Sequence, residues 1–119
     1  MTTIHANSAE DALRRLEVLA MGAKGVDLPL RAIRAQVASA VDVVVQIGRH
    51  SSGTRKVLSV CEVVAFNEDE DRLIVEEVFA YRTGKDREGL SAERLFFTGY
   101  VPTFFDSLLR AGATVECFY

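Results

Sequence analysis

The stretch Thr2-Thr3-Ile4-His5-Ala6-Asn7-Ser8, followed at once by an amphipathic segment, organises the rest of this chain. Its first threonines and isoleucine favour a β-strand, and the small polar residues after them interrupt it. Ser8, with Asp11 three residues later, has the pattern of a helix N-cap and its acidic partner. His5 is therefore predicted where a strand passes into a helix, the edge at which open α/β sheets bind ligands. A lone histidine in such a turn more often has a structural role, so both interpretations stay open at this point.

Two helices are predicted after this turn. Apolar residues recur at helical spacing from Ser8 to about Met21, and the acidic residues of the first turn suit the positive end of the helix dipole. Residues 22–29 contain two glycines and a proline, which indicates a loop. Residues 30–40 carry a narrow apolar stripe and predict the second helix.

The periodicity changes after residue 41. Residues 42–47 are rich in β-branched side chains and predict a strand buried on both faces. Residues 55–66 and 73–81 predict a second and a third strand, joined by short turns into an antiparallel meander. The acidic turn at residues 67–71 lacks the glycine and spacing of a calcium loop, which favours a solvated hairpin tip. Such a meander carries no chemistry by itself.

The last third of the chain holds most of the aromatic residues. Residues 82–92 are predicted as a polar loop, residues 93–98 as a short strand and residues 103–111 as a helix closed by Gly112. We expect the aromatic cluster to pack in a core, and the alternative is an exposed docking patch. The cluster consists of Phe96, Phe97, Tyr100, Phe104, Phe105, Phe118 and Tyr119.

Composition limits the classes of function. The 119 residues predict one domain, and 14 basic against 17 acidic residues give a net charge of −3 that argues against a nucleic-acid partner. No apolar run reaches the ~20 residues of a membrane span, and the first residues do not resemble a signal peptide. The two cysteines, Cys61 and Cys117, are far apart and are predicted to be reduced. We therefore expect a cytoplasmic protein without a transmembrane segment.

Several segments together resemble one family, the secretion ATPases of type II and type IV systems and above all the CpaF-like motors of tight-adherence pili. The resemblance covers roughly residues 2–66 specifically and continues more weakly to the end. It implies an α/β fold, the C-terminal portion of a RecA-like P-loop NTPase domain, within a hexameric motor. The matching residues are Thr3 to Ser8 (the family's histidine box), Asp11 to Leu13, Arg15 to Glu17, Leu28, Pro29, Arg31 to Arg34, Gln36 and Ala38 to Asp42.

The resemblance also implies roles for individual residues. His5 would reach toward the γ-phosphate side of the nucleotide pocket, where an imidazole can donate or accept a hydrogen bond near neutral pH. Two arginines of the second helix would lie at packing or subunit contacts, although these residues alone favour solvent. The cofactors would be ATP and Mg²⁺, in the complete motor only. By resemblance the nucleotide-side residues are Thr3, His5, Asn7, Ser8 and Arg15, and the subunit contacts are Arg31 and Arg34.

The sequence contains no G-x-x-x-x-G-K-[ST] loop and no acidic strand end ahead of the histidine box. We therefore expect a partial RecA-like domain, residues 1–119, that lacks the Walker A and Walker B segments and does not hydrolyse ATP alone. The implied partners are the upstream half of the ATPase or further copies of the chain, and an inner-membrane secretion platform protein. Peripheral attachment at the inner membrane would follow.

Two other functions stay open. The chain could be a stand-alone, non-catalytic binding module that associates with or caps an intact motor. It could also be a small enzyme that uses His5 with carboxylates brought close by folding. A sheet that starts with a strand at Thr2 would leave edges uncovered, so we expect self-association or exchange of elements.

Overall fold

The computed structural model describes residues 1–23, 25, 27–85 and 88–114. This part of the chain is a mixed α/β structure in which two helices precede an antiparallel sheet and a short helix follows it. The elements are α1 (Ala9–Met21), α2 (Leu30–Ala40), β1 (Val43–Arg49), β2 (Arg55–Asn67), β3 (Arg72–Lys85), β4 (Ser91–Phe97) and α3 (Phe105–Arg110).

The two predicted helices are confirmed almost to the residue. Ser8 caps α1 with an extended backbone and a side chain that accepts a hydrogen bond from the Asp11 N–H. Pro29 stands at the N-cap of α2, where its missing N–H costs nothing. Both helices form where sequence predicts them because periodicity and capping are local signals.

The sheet has the strand order β1-β2-β3-β4, with every neighbouring pair antiparallel. The predicted meander is therefore confirmed, and the sheet is extended by β4. Turns at His50–Gly53 and after Asn67 join the first three strands, with the Gly53 N–H donating to the His50 carbonyl at 2.8 Å. Register shifts interrupt β1–β2 pairing once and β2–β3 pairing twice. Such bulges increase the local twist of the strands.

The predicted strand at Thr2–Ile4 is wrong, because residues 1–6 have no strand hydrogen bonding. The segment lies beside β1 instead, where the Gln46 side-chain amide donates to the Ala6 carbonyl at 3.0 Å. High β-propensity does not make a strand unless a neighbouring backbone supplies the ladder.

The prediction that the first meander strand is buried on both faces is also wrong. Val43, Val45 and Ile47 are 40%, 51% and 58% exposed, and the residues between them are half-buried. β1 is an edge strand with protein on one face only. A run of β-branched residues cannot by itself distinguish a central strand from such an edge.

The polar loop predicted for residues 82–92 is shorter than expected, because β3 continues to Lys85 and β4 begins at Ser91. Pairing of Arg82 with Arg94 and of Thr83 with Glu93 extends the ladder through polar residues. α3 is in turn shorter than predicted, although Gly112 follows it with a φ of 87° as expected of a left-handed helix end.

The core lies between the α1–α2 layer and the sheet. Its apolar members in the described part of the chain are Ala9, Ala12, Leu13, Ile33, Cys61, Val63, Val78 and Ala80. The molecule is elongated, with extents of 56 × 38 × 26 Å and a radius of gyration of 16.9 Å. Within the described residues, no helix is both long and apolar enough to cross a membrane.

Candidate functional site

The turn that carries the histidine box is held by a reciprocal cap. The Ser8 hydroxyl accepts from the Asp11 N–H at 3.1 Å, and the Asp11 carboxylate accepts from the Asn7 N–H at 3.0 Å. Two N–H groups at the start of α1 are thereby satisfied, which fixes the direction in which the chain enters the helix. Ser8 is thus the predicted N-cap, and Asn7 takes part in the cap through its backbone N–H.

The side chains of Thr3 and His5 are exposed, and that of Ile4 between them is half-buried. The backbone of this segment is anchored by the Gln46 hydrogen bond to the Ala6 carbonyl. The imidazole of His5 is therefore presented at the surface from a tethered backbone, where an incoming group can reach it.

An open groove of about 470 Å³ lies next to this segment, between it and the outer face of α1. Ile4 and Arg15 both line the groove, whereas the predicted nucleotide-side residues Thr3, His5, Asn7 and Ser8 are not among its lining residues. Arg15 forms a long ion pair with Asp11, in which Nε lies 3.7 Å from Oδ2. The two side chains are 52% and 36% exposed. The complete lining is Ile4, Asp11, Arg14, Arg15, Val18 and Leu19.

Arg31 and Arg34 lie away from this groove, at the hairpin between β2 and β3. Arg34 donates from Nε to Glu17 Oε1 at 3.2 Å and from Nη1 to the Asp71 carbonyl at 2.9 Å. Arg31 donates from Nη2 to the Glu68 carbonyl at 2.7 Å, and its Nε lies 3.8 Å from Asp71 Oδ1. These bonds tie both helices to the hairpin within one chain.

Arg34 is the more buried of the two arginines: its side chain is 22% exposed, whereas that of Arg31 is 59% exposed. Burial alone would lower the pKa of Arg34, but hydrogen bonds and charge attraction from Glu17 and Asp71 raise it above its ordinary value. Arg34 is a fixed cation in a packed network, whereas Arg31 keeps much of its guanidinium accessible.

A polar cluster that sequence reasoning missed surrounds His50. Its Nε2 lies 2.9 Å from Glu93 Oε2, and its Nδ1 lies 3.1 Å from Ser52 Oγ. The Lys56 ammonium donates to the Tyr81 hydroxyl at 3.1 Å, and the Tyr81 ring meets the imidazole edge to face. His50 follows β1 and Glu93 lies on β4, so the two meet only because all four strands pair in order. No local sequence signal could therefore have found this cluster.

A second missed cluster surrounds Glu62, which is only 2% exposed. Its carboxylate accepts from the Tyr100 hydroxyl at 2.8 Å and from both the N–H and the hydroxyl of Thr103. These bonds attach the segment before α3 to the middle of β2. The sequence contained one signal for this cluster, a glutamate within the apolar run of β2. A carboxylate buried in a strand requires hydrogen-bond donors from elsewhere in the fold.

Cys61 is buried beside Glu62, with its sulfur 3.2 Å from the Ser59 hydroxyl. Burial raises the pKa of this thiol, and the negative charge of Glu77 raises it further. The hydrogen bond with Ser59 acts in the opposite direction, but the pKa stays above its ordinary value. A thiol in such surroundings is unreactive. Cys117 lies outside the described residues.

The aromatic cluster is divided between interior and surface. Phe96, Tyr100, Phe104 and Phe105 are half-buried, as core packing predicts, whereas Phe97 is 53% exposed. Phe118 and Tyr119 lie outside the described residues. In the described ranges, no group of three or more histidine, cysteine or acidic side chains is arranged to hold a metal ion.

Comparison with known proteins gave no match, either among family models or among curated proteins.

Proposed function

We propose that this chain is the C-terminal part of a subunit of a hexameric ATPase that powers type II or type IV secretion or pilus assembly. In this proposal it contributes one portion of a RecA-like domain, and its histidine box faces the γ-phosphate of a bound nucleotide. The observation that carries the proposal is the exposed His5, held on a tethered and capped turn beside a groove that Arg15 lines.

The roles of the site residues follow from their positions. His5 contacts the terminal phosphate and exchanges a hydrogen bond as the nucleotide changes, for which an imidazole is suited. Thr3 lies in the same exposed segment, and Arg15 adds positive charge to the groove that Ile4 of this segment lines. Asn7 and Ser8 hold the turn through their bonds with Asp11.

The groove could contact a phosphate from one side but is too open to enclose it. It offers the guanidinium groups of Arg14 and Arg15, whereas its carboxylate, Asp11, already accepts from Asn7 and lies close to Arg15. P-loop enclosure of a phosphate uses a nest of backbone N–H groups, and Mg²⁺ binding uses oxygen ligands that are not already paired. We therefore assign the Walker A and Walker B segments, and with them most of the ATP and Mg²⁺ binding, to a part of the motor beyond these 119 residues.

Unpartnered apolar surface supports the association with further protein. On α1, Val18, Leu19 and Met21 are 68%, 64% and 54% exposed, and on β1 the outward valines and isoleucine are similarly open. Apolar surface of this extent is typical of interfaces. The partners we propose are further copies of the motor subunit, its P-loop-bearing half and a platform protein at the inner membrane, with the motor itself in the cytoplasm.

Replacement of His5 in the complete motor tests the proposal. His5→Gln keeps a polar side chain of similar length, and we expect ATP turnover to fall by about tenfold or more while nucleotide affinity stays unchanged. His50→Gln is the matched control, because His50 belongs to a different cluster, and it should leave turnover unchanged. Equal turnover in both variants, or ATP hydrolysis by the 119-residue chain alone, would refute the proposal.

The second candidate function is a stand-alone module that binds and caps an intact motor without catalysis. The exposed apolar face of α1 favours it, because such a face could cover a motor subunit directly. Co-purification of the chain with a full-length motor, with ATP turnover of that motor inhibited rather than supported, would distinguish this function from the first.

A further inference from the structure

The turn between β1 and β2 is a basic hairpin tip. Arg49 and Arg55 are directly opposite each other in the β1–β2 register, and both are exposed. Lys56 follows, and the sequence has no acidic residue from position 49 to position 61. We call Arg49, Arg55 and Lys56 the basic tip.

None of the three side chains of the basic tip forms an ion pair within the described chain, although the Glu93 carboxylate lies at this turn, 2.9 Å from His50 Nε2. Arg49 and Arg55 form no ion pair there, and the Lys56 ammonium is held by the hydroxyl and the ring of Tyr81 rather than by a carboxylate. Like charges directly opposite in a sheet are destabilising. An anionic group placed between the two arginines would remove that repulsion, so the tip is suited to a partner that carries carboxylates or phosphates.

The opposite end of the sheet carries such groups. Glu68 and Asp69 lie in the exposed turn between β2 and β3, and neither carboxylate has a cationic partner in the described residues. The other two acidic residues of this turn are neutralised, since Asp71 meets Arg34 and Glu70 meets Arg72. We call Glu68 and Asp69 the acidic tip.

The two tips cannot meet within one molecule. They are separated by the whole of β2, Arg55–Asn67, which corresponds to about 40 Å at the usual rise of a strand. Complementary charges at opposite ends of a rigid sheet instead favour contact between different copies of the chain.

We propose that the basic tip of one copy binds the acidic tip of the next, head to tail. Such a contact is heterologous, and repetition of it produces a closed ring or an open filament according to the rotation between copies. This inference rests on the oligomer of the proposed function and assigns a surface to it. The partner is thus a second copy of this chain, recognised through carboxylate–guanidinium pairs.

Charge reversal at each tip, followed by sedimentation velocity, tests the contact. We expect the 119-residue chain to self-associate in about 0.02 M salt and to lose at least about tenfold in affinity at about 0.3 M, where screening is strong. Arg55→Glu and Asp69→Lys should each weaken association by a similar factor. Arg110→Glu, which changes the net charge as Arg55→Glu does but lies on α3, should not.

A mixing experiment gives the sharpest result. The variant Arg49→Glu/Arg55→Glu has two acidic tips and the variant Glu68→Lys/Asp69→Lys has two basic tips, so each should fail to self-associate. An equimolar mixture should instead associate into assemblies that contain both variants, because acidic tips then meet basic ones. Circular dichroism verifies that each variant is folded. Association unaffected by reversal, absence of association at millimolar concentration in low salt, or binding of the wild type only to phosphatidylglycerol vesicles would overturn the inference. None of these results would alter the His5 experiment, so the two proposals fail separately.

Discussion

Replacement of Tyr100 by phenylalanine should weaken the attachment of the C-terminal segment to the sheet. The ring remains, but the hydroxyl that donates to Glu62 at 2.8 Å is lost. Hydrogen bonds to charged groups contribute about 1.5–3 kcal/mol each. Because Glu62 is only 2% exposed, water cannot easily replace the missing donor. We therefore expect the free energy of unfolding to fall by about 1.5–3 kcal/mol.

The hydrogen bond between Tyr100 and Glu62 also makes the free energy of unfolding depend on pH in the acidic range. Burial alone would raise the pKa of Glu62, but the hydrogen bonds donated by Thr103 and Tyr100 hold it below its ordinary value. Since the folded-state pKa is the lower one, the stabilising contribution is present above the unfolded pKa of about 4.3 and is lost as pH falls through the folded value. Without the Tyr100 hydroxyl the folded pKa of Glu62 rises, so less stability is lost in acid.

The stability of the protein at alkaline pH gives an independent test of the same hydrogen bond. The hydrogen bond to Glu62, together with burial, raises the pKa of Tyr100 to about 12. A folded-state pKa above the unfolded value of about 10 stabilises the protein below pH ~10, and this contribution is lost as pH rises through about 12. Tyr100→Phe removes this dependence.

Urea denaturation at several pH values, with Glu62→Gln, Tyr100→Phe and the double variant, measures these effects. A double-mutant cycle should give a coupling of about 1 kcal/mol or more between the two residues. Purely additive losses, or a change below about 0.5 kcal/mol in Tyr100→Phe at pH 7, would refute the reasoning.

Three further predictions concern packing and reactivity. Arg34→Ala should lower the free energy of unfolding by about 2–3 kcal/mol because it leaves the buried Glu17 carboxylate unpaired, whereas the exposed Arg31→Ala should cost about 1 kcal/mol or less in the same urea assay. Gly84→Ala should cost about 1–3 kcal/mol, since a Cβ there would lie 2.4 Å from the Phe96 ring; in a Phe96→Ala background the cost should largely disappear. The buried Cys61 thiol should resist an aromatic disulfide reagent at pH 8 and react on denaturation, measured with the other cysteine replaced by serine; rapid reaction of the native protein would contradict its burial.

The parts of the fold that sequence predicted correctly are those specified by neighbouring residues. The caps and periodicity of α1 and α2, and the turn residues of the meander, act over a few positions and leave clear patterns. The errors occurred where a distant partner decides the outcome. The β-prone residues at the start of the chain found no neighbouring strand, and β1 became an edge rather than a centre.

The candidate site divides in the same way. Ser8 was predicted as a cap because its partner is three residues away, and the structure bears this out. Glu62 and His50 were missed as cluster centres because their partners come from other elements of the fold. Side-chain clusters of this kind depend on strand register, which composition and periodicity do not encode.

The apolar residues that the fold leaves uncovered are the observation that most favours the proposed partners. Val45 pairs with Val60, Val60 with Phe79 and Phe79 with Phe97, so one apolar row crosses all four strands on a single face. Its outer members are 51% and 53% exposed, and the rings of its two phenylalanines lie 5.7 Å apart. The radius of gyration of 16.9 Å exceeds the ~13.5 Å expected of a compact domain of this length. Exposure of this row to water is unfavourable, because apolar surface is more stable when it is buried. Binding of one of the proposed partners to this face of the sheet would bury the row and remove that cost.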